Sequence, residues 1–207
     1  MKEQSQIATS SSLQRSNQLD AWLTAVVATP GLTALRDLDE ARRVLLDDSL
    51  NGLELVSQFE GSIVDVGSGT GAPGIPLAAR LPDRDVVLLD AERRKCDFLR
   101  TWAPANARVV WGRAEEQQSD WAGVAVAKAL AQPPTAAEWC LPLVREGGAV
   151  VLWVGPTADA DRVSAVAKRL AAELVDAPEG FLVLRKLGPT PPGFPRRPGV
   201  AKKRPLA

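Results

Sequence analysis

Residues 63–74 read Ile-Val-Asp-Val-Gly-Ser-Gly-Thr-Gly-Ala-Pro-Gly, and this stretch decides the fold. It opens as a short aliphatic strand that carries one acid, Asp65. Glycines then alternate with small residues at Gly67, Gly69 and Gly71. Glycine lets the backbone turn tightly and approach a ligand, and a helix starting at Pro73 would offer its free N–H groups to that ligand. The stretch therefore predicts a strand, a nucleotide-binding loop and a helix.

Downstream of this loop, short aliphatic runs alternate with longer helical patterns. The predicted strands cover residues 63–66, 86–89, 109–111, 123–127, 149–154 and 181–184. The predicted crossover helices cover residues 73–81, 92–102, 135–144 and 159–174. Alternation of this kind is typical of βα units, so the sequence predicts an α/β fold with a mostly parallel sheet and helices on both faces.

The chain divides into four predicted segments. Residues 1–16 are rich in Ser and Gln and predict a flexible tail. Residues 17–60 predict a helical extension because apolar residues recur at helical spacing. Residues 61–188 form the predicted binding domain, and residues 189–207 are a basic segment in which six prolines disfavour regular structure.

The 25 Lys and Arg residues balance 25 Asp and Glu residues, but the two signs are unevenly distributed. Residues 181–207 hold seven basic residues and no acidic one, a net charge of +7. The other 18 basic and 25 acidic residues leave residues 1–180 at −7. A polyanionic partner is therefore expected to meet the carboxyl-terminal end of the chain.

The chain contains no His and no Tyr, which excludes imidazole bases, histidine metal ligands and tyrosine acids. We expect no metal site. Two cysteines, Cys96 and Cys140, are too few for a disulfide scaffold and predict reduced packing residues. The first eighteen residues lack the apolar core of a secretory signal, and no run is long enough to span a membrane. The sequence predicts a soluble cytoplasmic protein.

Three interpretations of the glycine loop compete. The spacing Gly69-x-Gly71-x-x-Gly74 satisfies a dinucleotide fingerprint, and a purely structural glycine turn is also possible. However, the strand ends at Val66 and carries its acid two residues before the first glycine. This arrangement resembles the first motif of class I S-adenosylmethionine (SAM) methyltransferases, in which the acid orients the loop and the methionine end of the cofactor. The residues expected to bind this cofactor here are Asp65, Gly67, Gly69, Gly71 and Ala72.

Two further groups follow the next strands. Asp90 closes the second strand, where a carboxylate can accept both hydroxyls of an adenosine ribose, although acids at strand ends are often helix caps. Arg113, Ala114 and Glu115 follow the third strand, at the edge where open α/β sheets bind ligands. We expect the backbone of Ala114 and Glu115 to meet the adenine; the alternative is a solvated helix start.

With these motifs the sequence resembles the RsmG (GidB) methyltransferases. The most specific part is residues 67–77, Gly-Ser-Gly-Thr-Gly-Ala-Pro-Gly-Ile-Pro-Leu, and residues 31–34, 46–50, 95–99, 112–115 and 194–206 are similar to further signatures. The resemblance implies a class I SAM-dependent fold with a helical amino-terminal extension. It also implies methyl transfer from SAM to N7 of a guanosine in 16S ribosomal RNA, or in a small-subunit precursor, by a monomer.

The chain departs from the family pattern at four places. Gly31 stands where the family usually has Asn, Val44-Leu45 where it has Arg-His, and Val154 where it has Lys. The family's Arg after the fourth strand is Lys128, which keeps the charge and loses the bidentate fork. Lys128 is the residue expected to align substrate or cofactor, so the substrate half of the site is altered.

The chemistry and the tail complete the hypothesis. N7 of guanine has a lone pair and no proton, so its methylation needs no general base. Most of the rate enhancement is then expected from the alignment of N7 with the methyl group and the sulfur. The predicted RNA contacts are Arg113, Arg196, Arg197, Lys202, Lys203 and Arg204. A merely solubilising charge run is the alternative for the tail. Three function classes stay open: the ribosomal RNA N7 methyltransferase, a SAM methyltransferase with another substrate, and a non-catalytic SAM- or RNA-binding paralogue in ribosome assembly.

Overall fold

The computed structural model describes residues 2–207, with side chains from residue 15 onward, and its centre is a seven-stranded sheet. The strands are β1 (Ile63–Val66), β2 (Val86–Asp90), β3 (Ala107–Trp111), β4 (Ala122–Lys128), β5 (Val144–Trp153), β6 (Ala172–Val175) and β7 (Phe181–Lys186). Their order is β3-β2-β1-β4-β5-β7-β6, and β7 alone runs antiparallel to the other six strands. The predicted mostly parallel α/β sheet is confirmed.

Helices precede the sheet and connect its strands. They are α1 (Lys2–Ala28), α2 (Leu38–Ala41), a π-helical turn (Arg42–Asp47), α3 (Asp48–Asn51), α4 (Leu53–Ser57), α5 (Gly74–Arg80), α6 (Arg93–Trp102), α7 (Pro133–Cys140), α8 (Ala160–Arg169) and α9 (Val200–Lys203). Short 3-10 turns cover Ala114–Glu116 and Leu141–Leu143. No helix within residues 2–207 is long and apolar enough to cross a membrane.

The core consists of two apolar layers, one on each face of the sheet. Successive strand residues point to opposite faces, so Ile63 belongs to one layer and Val64 to the other. The layer that contains Ile63 also contains Trp22 and Leu23 of α1, both fully buried. The amino-terminal extension is therefore part of the main core. Both cysteines are free and buried, as predicted.

Two predicted boundaries differ from the structure. Residues 1–16 were expected to form a flexible tail, but a helix begins at Lys2. No Gly or Pro interrupts the chain before Pro30, so nothing in the sequence breaks this helix early. Met1 lies outside the described residues. The predicted helix over residues 159–174 is too long: α8 ends at Arg169, Ala171 adopts a φ of 53°, and β6 follows. Leu174 packs as a strand residue opposite Leu184.

The carboxyl-terminal segment is the largest difference, because it folds back on the protein. Arg196 makes a two-point ion pair with Glu138 of α7, at 2.5 Å and 2.6 Å, and the Glu138 side chain is 3% exposed. Ala201 of α9 is buried, and Leu206 packs on the apolar layer beneath it. The predicted extended tail is thus wrong in conformation, since its prolines still allow a packed course with one short helix.

Gly123 at the start of β4 tests how tightly the extension packs on the sheet. A Cβ at this position would lie 1.8 Å from the carbonyl oxygen of Glu60, where no shift of a side chain can relieve the clash. We expect Gly123→Ala to lower the free energy of unfolding by about 3 kcal/mol, measured by urea denaturation. Gly155→Ala is the matched control, because nothing lies within 4 Å of its added Cβ. Equal stability of the two variants would contradict this packing.

Candidate active site

A cavity of about 260 Å³ opens at the carboxyl ends of β1, β2, β3 and β4. Its walls include five of the residues that the sequence predicted for the site: Gly67, Asp90, Arg113, Ala114 and Glu115. Leu130 and Trp139, which follow β4, close the opposite side. The volume lies just below the range of whole ligand sites, which suits the adenosine half of a larger cofactor.

The glycine loop beside this cavity has a backbone that other residues rarely adopt. Gly67, Gly69 and Gly71 have φ values of 71°, 56° and 109°. A side chain at Gly67 would also run into Leu130 across the cavity. The predicted need for glycine at these three positions is therefore a need for left-handed backbone. Ala72, predicted with them, is buried in the core and does not line the cavity.

Asp65 lies beneath the loop. Its Oδ2 accepts a hydrogen bond from the backbone N–H of Gly74 at 3.0 Å, while Oδ1 is buried and meets no donor among the described residues. Burial raises the pKa of Asp65 to about 7, an effect that Ser68 and the Gly74 N–H partly oppose. The geometry fits a residue that orients the loop, and the unsatisfied Oδ1 leaves room for one more donor.

Asp90 forms the second support of the loop. Its Oδ2 accepts from the N–H of Gly69 and its Oδ1 from the N–H of Glu92, both at 2.8 Å. The contact to Glu92 lies before α6, whose first turn has no side-chain cap, so the helix-cap alternative for Asp90 is wrong; the carboxylate borders the cavity. Each oxygen has a second lone pair, so both can also accept a ribose hydroxyl.

Trp22 is a loop contact that sequence reasoning missed. Its indole Nε1 donates to the carbonyl oxygen of Thr70 at 2.8 Å, across 48 residues of chain. Trp22 is one of the apolar residues at helical spacing in the predicted extension, and periodicity does not report which polar atom such a residue meets. The contact fastens α1 to the middle of the glycine loop.

The far wall of the cavity joins the carboxyl-terminal segment. Glu115 accepts a hydrogen bond from the N–H of Gly199 at 3.1 Å. Trp139, also missed in the sequence, has a buried indole N–H with no acceptor among the described residues. A buried donor without a partner is rare in proteins, so a ligand atom that accepts at this wall would complete the site.

Lys128 does not line this cavity. Its Nζ donates to the carbonyl oxygen of Val44 at 2.8 Å and pairs with Asp48 at 3.1 Å, and its side chain is only 12% exposed. The structure thus directs the Lys128 side chain to the amino-terminal extension. A second cavity of about 370 Å³ lies there, and Ala129 borders both cavities.

The predicted RNA-binding residues fall into two groups. Arg196 is held by Glu138, which corrects its expected place on an open surface. The other tail residues are exposed: Arg197, Lys202, Lys203 and Arg204. Lys202 also lines a third cavity of about 260 Å³ that shares Leu130 and Trp139 with the first. Within the part of the chain whose side chains are described, no group of three or more acids or cysteines could hold a metal ion.

A family model and individual relatives assign this chain to the same family. The model of a family described as "rRNA small subunit methyltransferase G" (GidB) matches residues 12–176. A ribosomal RNA small subunit methyltransferase G of Synechococcus sp. (strain JA-2-3B'a(2-13)) is 33% identical over 225 residues, covering 93% of this chain and 86% of the relative.

Solved structures agree at the level of the fold. A 16S rRNA N2 G1207 methyltransferase of T. thermophilus, in complex with AdoMet and guanosine, has a TM-score of 0.51 at 17% identity and covers 69% of this chain and 40% of its own. A SAM-dependent O-methyltransferase of Thermotoga maritima has a TM-score of 0.54 at 15% identity, with 76% and 72% covered. Both likenesses show the fold alone.

The buried Asp65 predicts a pH dependence of stability. Its pKa is about 7 in the folded protein against a usual 3.8, so the folded state holds the proton more tightly. The stability this supplies is complete below about pH 4 and is lost as the pH rises to about 7, by about 1.4 kcal/mol per pH unit. We expect the unfolding free energy of the wild type to fall with this slope relative to Asp65→Asn, measured by urea denaturation at pH 5, 6, 7 and 8.

The exposed Asp83 provides the matched control for this experiment. Asp83→Asn makes the same charge change at the surface, so its curve should run parallel to that of the wild type. If the Asp65→Asn curve also ran parallel, the carboxyl would not be protonated in the folded protein at neutral pH.

Proposed function

The chain belongs to the rRNA small subunit methyltransferase G (GidB) family, and from this premise we propose that it transfers a methyl group from SAM to N7 of a guanosine in 16S ribosomal RNA. It is a SAM-dependent methyltransferase of small-subunit ribosomal RNA. The observation that carries the proposal is the glycine loop, tied by Asp65 and Asp90 beside a cavity of nucleoside size.

The residues of this site fit the cofactor. Asp90 would accept the ribose hydroxyls, and the backbone at Ala114 and Glu115 would meet the adenine. The unpartnered indole N–H of Trp139 offers one donor to a ring nitrogen. When bound, SAM supplies an electrophilic methyl group on a sulfonium. The buried Asp65 carboxyl accepts from the Gly74 N–H and would orient the loop toward the methionine end.

The chain itself then has to hold and orient the base. N7 of guanine carries an in-plane lone pair, so no residue has to remove a proton, which agrees with the absence of His and Tyr. Rate enhancement of this kind comes from positioning two reactants at the correct distance and angle. The border that the two cavities share at Ala129, next to Lys128 in the second cavity, supports this role.

Nucleoside analysis tests the proposed reaction. Small-subunit RNA, free and in particles, is incubated with the protein and SAM, and 7-methylguanosine is quantified after digestion. We expect product with the wild type and about a hundredfold lower kcat/KM with Asp90→Ala, because the loop and the ribose both lose an acceptor. Asp85→Asn, at an exposed position, is the control.

The same modification should be missing from 16S ribosomal RNA of a strain that lacks the gene. An unchanged 7-methylguanosine signal in that strain would contradict the proposed activity. SAM binding without any methylated RNA would instead favour a different substrate or a non-catalytic role. A monomeric state and a cytoplasmic location stay predictions of the sequence.

The exposed part of the tail supports the proposed RNA surface. Lys202, Lys203 and Arg204 are exposed at the end of α9, and Lys202 reaches the cavity next to the cofactor cavity. Basic side chains so placed would neutralise backbone phosphates while a neighbouring base enters the site. Arg196 supports them indirectly, because its ion pair with Glu138 and its bond to the Arg204 carbonyl fix the course of the segment.

Salt dependence of RNA binding tests this surface. We expect the triple variant Lys202→Ala, Lys203→Ala, Arg204→Ala to bind RNA more weakly and to reduce the slope of log affinity against log salt by about 2, since each lost phosphate contact contributes about 0.7. SAM affinity should not change. The matched triple Arg80→Ala, Arg100→Ala, Arg108→Ala removes the same charge from other exposed positions. Equal slopes for the two triples would show that the tail is no special RNA surface.

A further inference from the structure

The second cavity, of about 370 Å³, borders the cofactor cavity and has no role so far. It lies at the carboxyl ends of β4 and β5, and Ala129 lines both spaces. Its other walls include Asp48 and Lys128, which carry opposite charges, and the aromatic rings of Trp153 and Phe181. A flat polar molecule in this cavity would therefore lie next to the bound cofactor, between aromatic surface and an ion pair.

The ion pair in this wall has unused hydrogen-bonding capacity. Lys128 has three N–H donors, of which one meets the carbonyl oxygen of Val44, and its Nζ forms an ion pair with Oδ2 of Asp48 at 3.1 Å. Oδ1 of Asp48 accepts from no described residue, and the Asp48 side chain is 46% exposed. One donor and one acceptor are thus available side by side.

The position of the pair is fixed by packing. The indole Nε1 of Trp153 donates to the carbonyl oxygen of Asp48 at 2.8 Å, which holds α3 against the end of β5. A Cβ on Gly52 would lie 2.2 Å from the Trp153 ring, so the helix can approach this closely only with glycine there. Phe181 meets Trp153 edge to face, with ring centroids 5.2 Å apart. The donor and the acceptor are therefore presented by a rigid wall.

We propose that the Lys128–Asp48 pair recognises the target guanine in the second cavity, a proposal that rests on the proposed N7-guanine activity. The Lys128 ammonium donates to O6, and the Asp48 carboxylate accepts from N1–H and the N2 amino group. Adenine presents an amino group in place of O6 and a bare N1, so each charged partner would face the wrong group. Such a mismatch, which leaves both charged groups facing the wrong partner, discriminates between the two bases.

The competing explanation is that the pair only fastens the extension to the sheet. Substrate analogues distinguish the two explanations, because a purely structural ion pair would not respond to a change in the base. Inosine lacks only the N2 amino group of guanosine. The experiment replaces the target guanosine by inosine in the RNA that the wild type methylates, and compares kcat/KM for both RNAs.

For the wild type we expect about a tenfold lower kcat/KM on inosine, the usual effect of losing one hydrogen bond to a charged group. Asp48→Asn should lower kcat/KM on guanosine and bring the guanosine-to-inosine ratio close to one, with SAM affinity unchanged. Asp47→Asn, an exposed neighbour with the same charge change, should keep the tenfold ratio.

Two results would overturn the proposal. One is a wild type that methylates guanosine and inosine equally, which would leave the proposed function intact. The other is an Asp48→Asn variant that is slower but keeps the wild-type guanosine-to-inosine ratio of kcat/KM, since a purely structural ion pair would behave in this way. If the variant fails to fold, the wild-type ratio alone decides. Failure of the wild type to methylate guanosine at all would refute the proposed function instead.

Discussion

Two buried carboxylates hold the loop on which the site depends. Asp65 accepts from the N–H of Gly74 at the far end of the loop, and Asp90 accepts from the N–H of Gly69 in its middle. The N–H groups of Gly67, Ser68 and Gly71 donate to backbone carbonyls, and the two aspartates add acceptors for Gly69 and Gly74, so these bonds together fix the loop conformation. One wall of the cofactor cavity, at Gly67, and the acceptor of the Trp22 indole, at Thr70, belong to this loop.

Local features of the site could be predicted from the sequence, and long-range contacts could not. The glycine loop and Asp90 were found because strand, turn and cap signals lie within a few residues of each other. Lys128 was recognised as important, yet its partner Asp48 lies 80 positions away, and no local pattern joins them. Trp139 gave no signal at all, since an indole on a helix normally reads as core.

The separated charges of the chain also have a structural meaning. The acidic body and the basic carboxyl-terminal segment meet through Arg196 and Glu138, and Glu115 binds the backbone at Gly199. Part of the positive charge that the sequence analysis assigned to a partner, that of Arg196, is therefore paired within the molecule. The basic side chains of the segment that stay exposed are Arg197, Lys202, Lys203 and Arg204, so the proposed RNA surface is smaller than the whole segment would provide.

The buried carboxylate of Glu138 has a practical consequence for protein engineering. Deleting residues 189–207, the obvious way to ask what the basic segment does, would strip this carboxylate of its guanidinium. An uncompensated buried charge costs about 3–5 kcal/mol, which approaches the whole stability of many domains. A truncated protein would thus be less stable for reasons unrelated to RNA. Point substitutions at the surface of the segment are the only edits whose results can be interpreted.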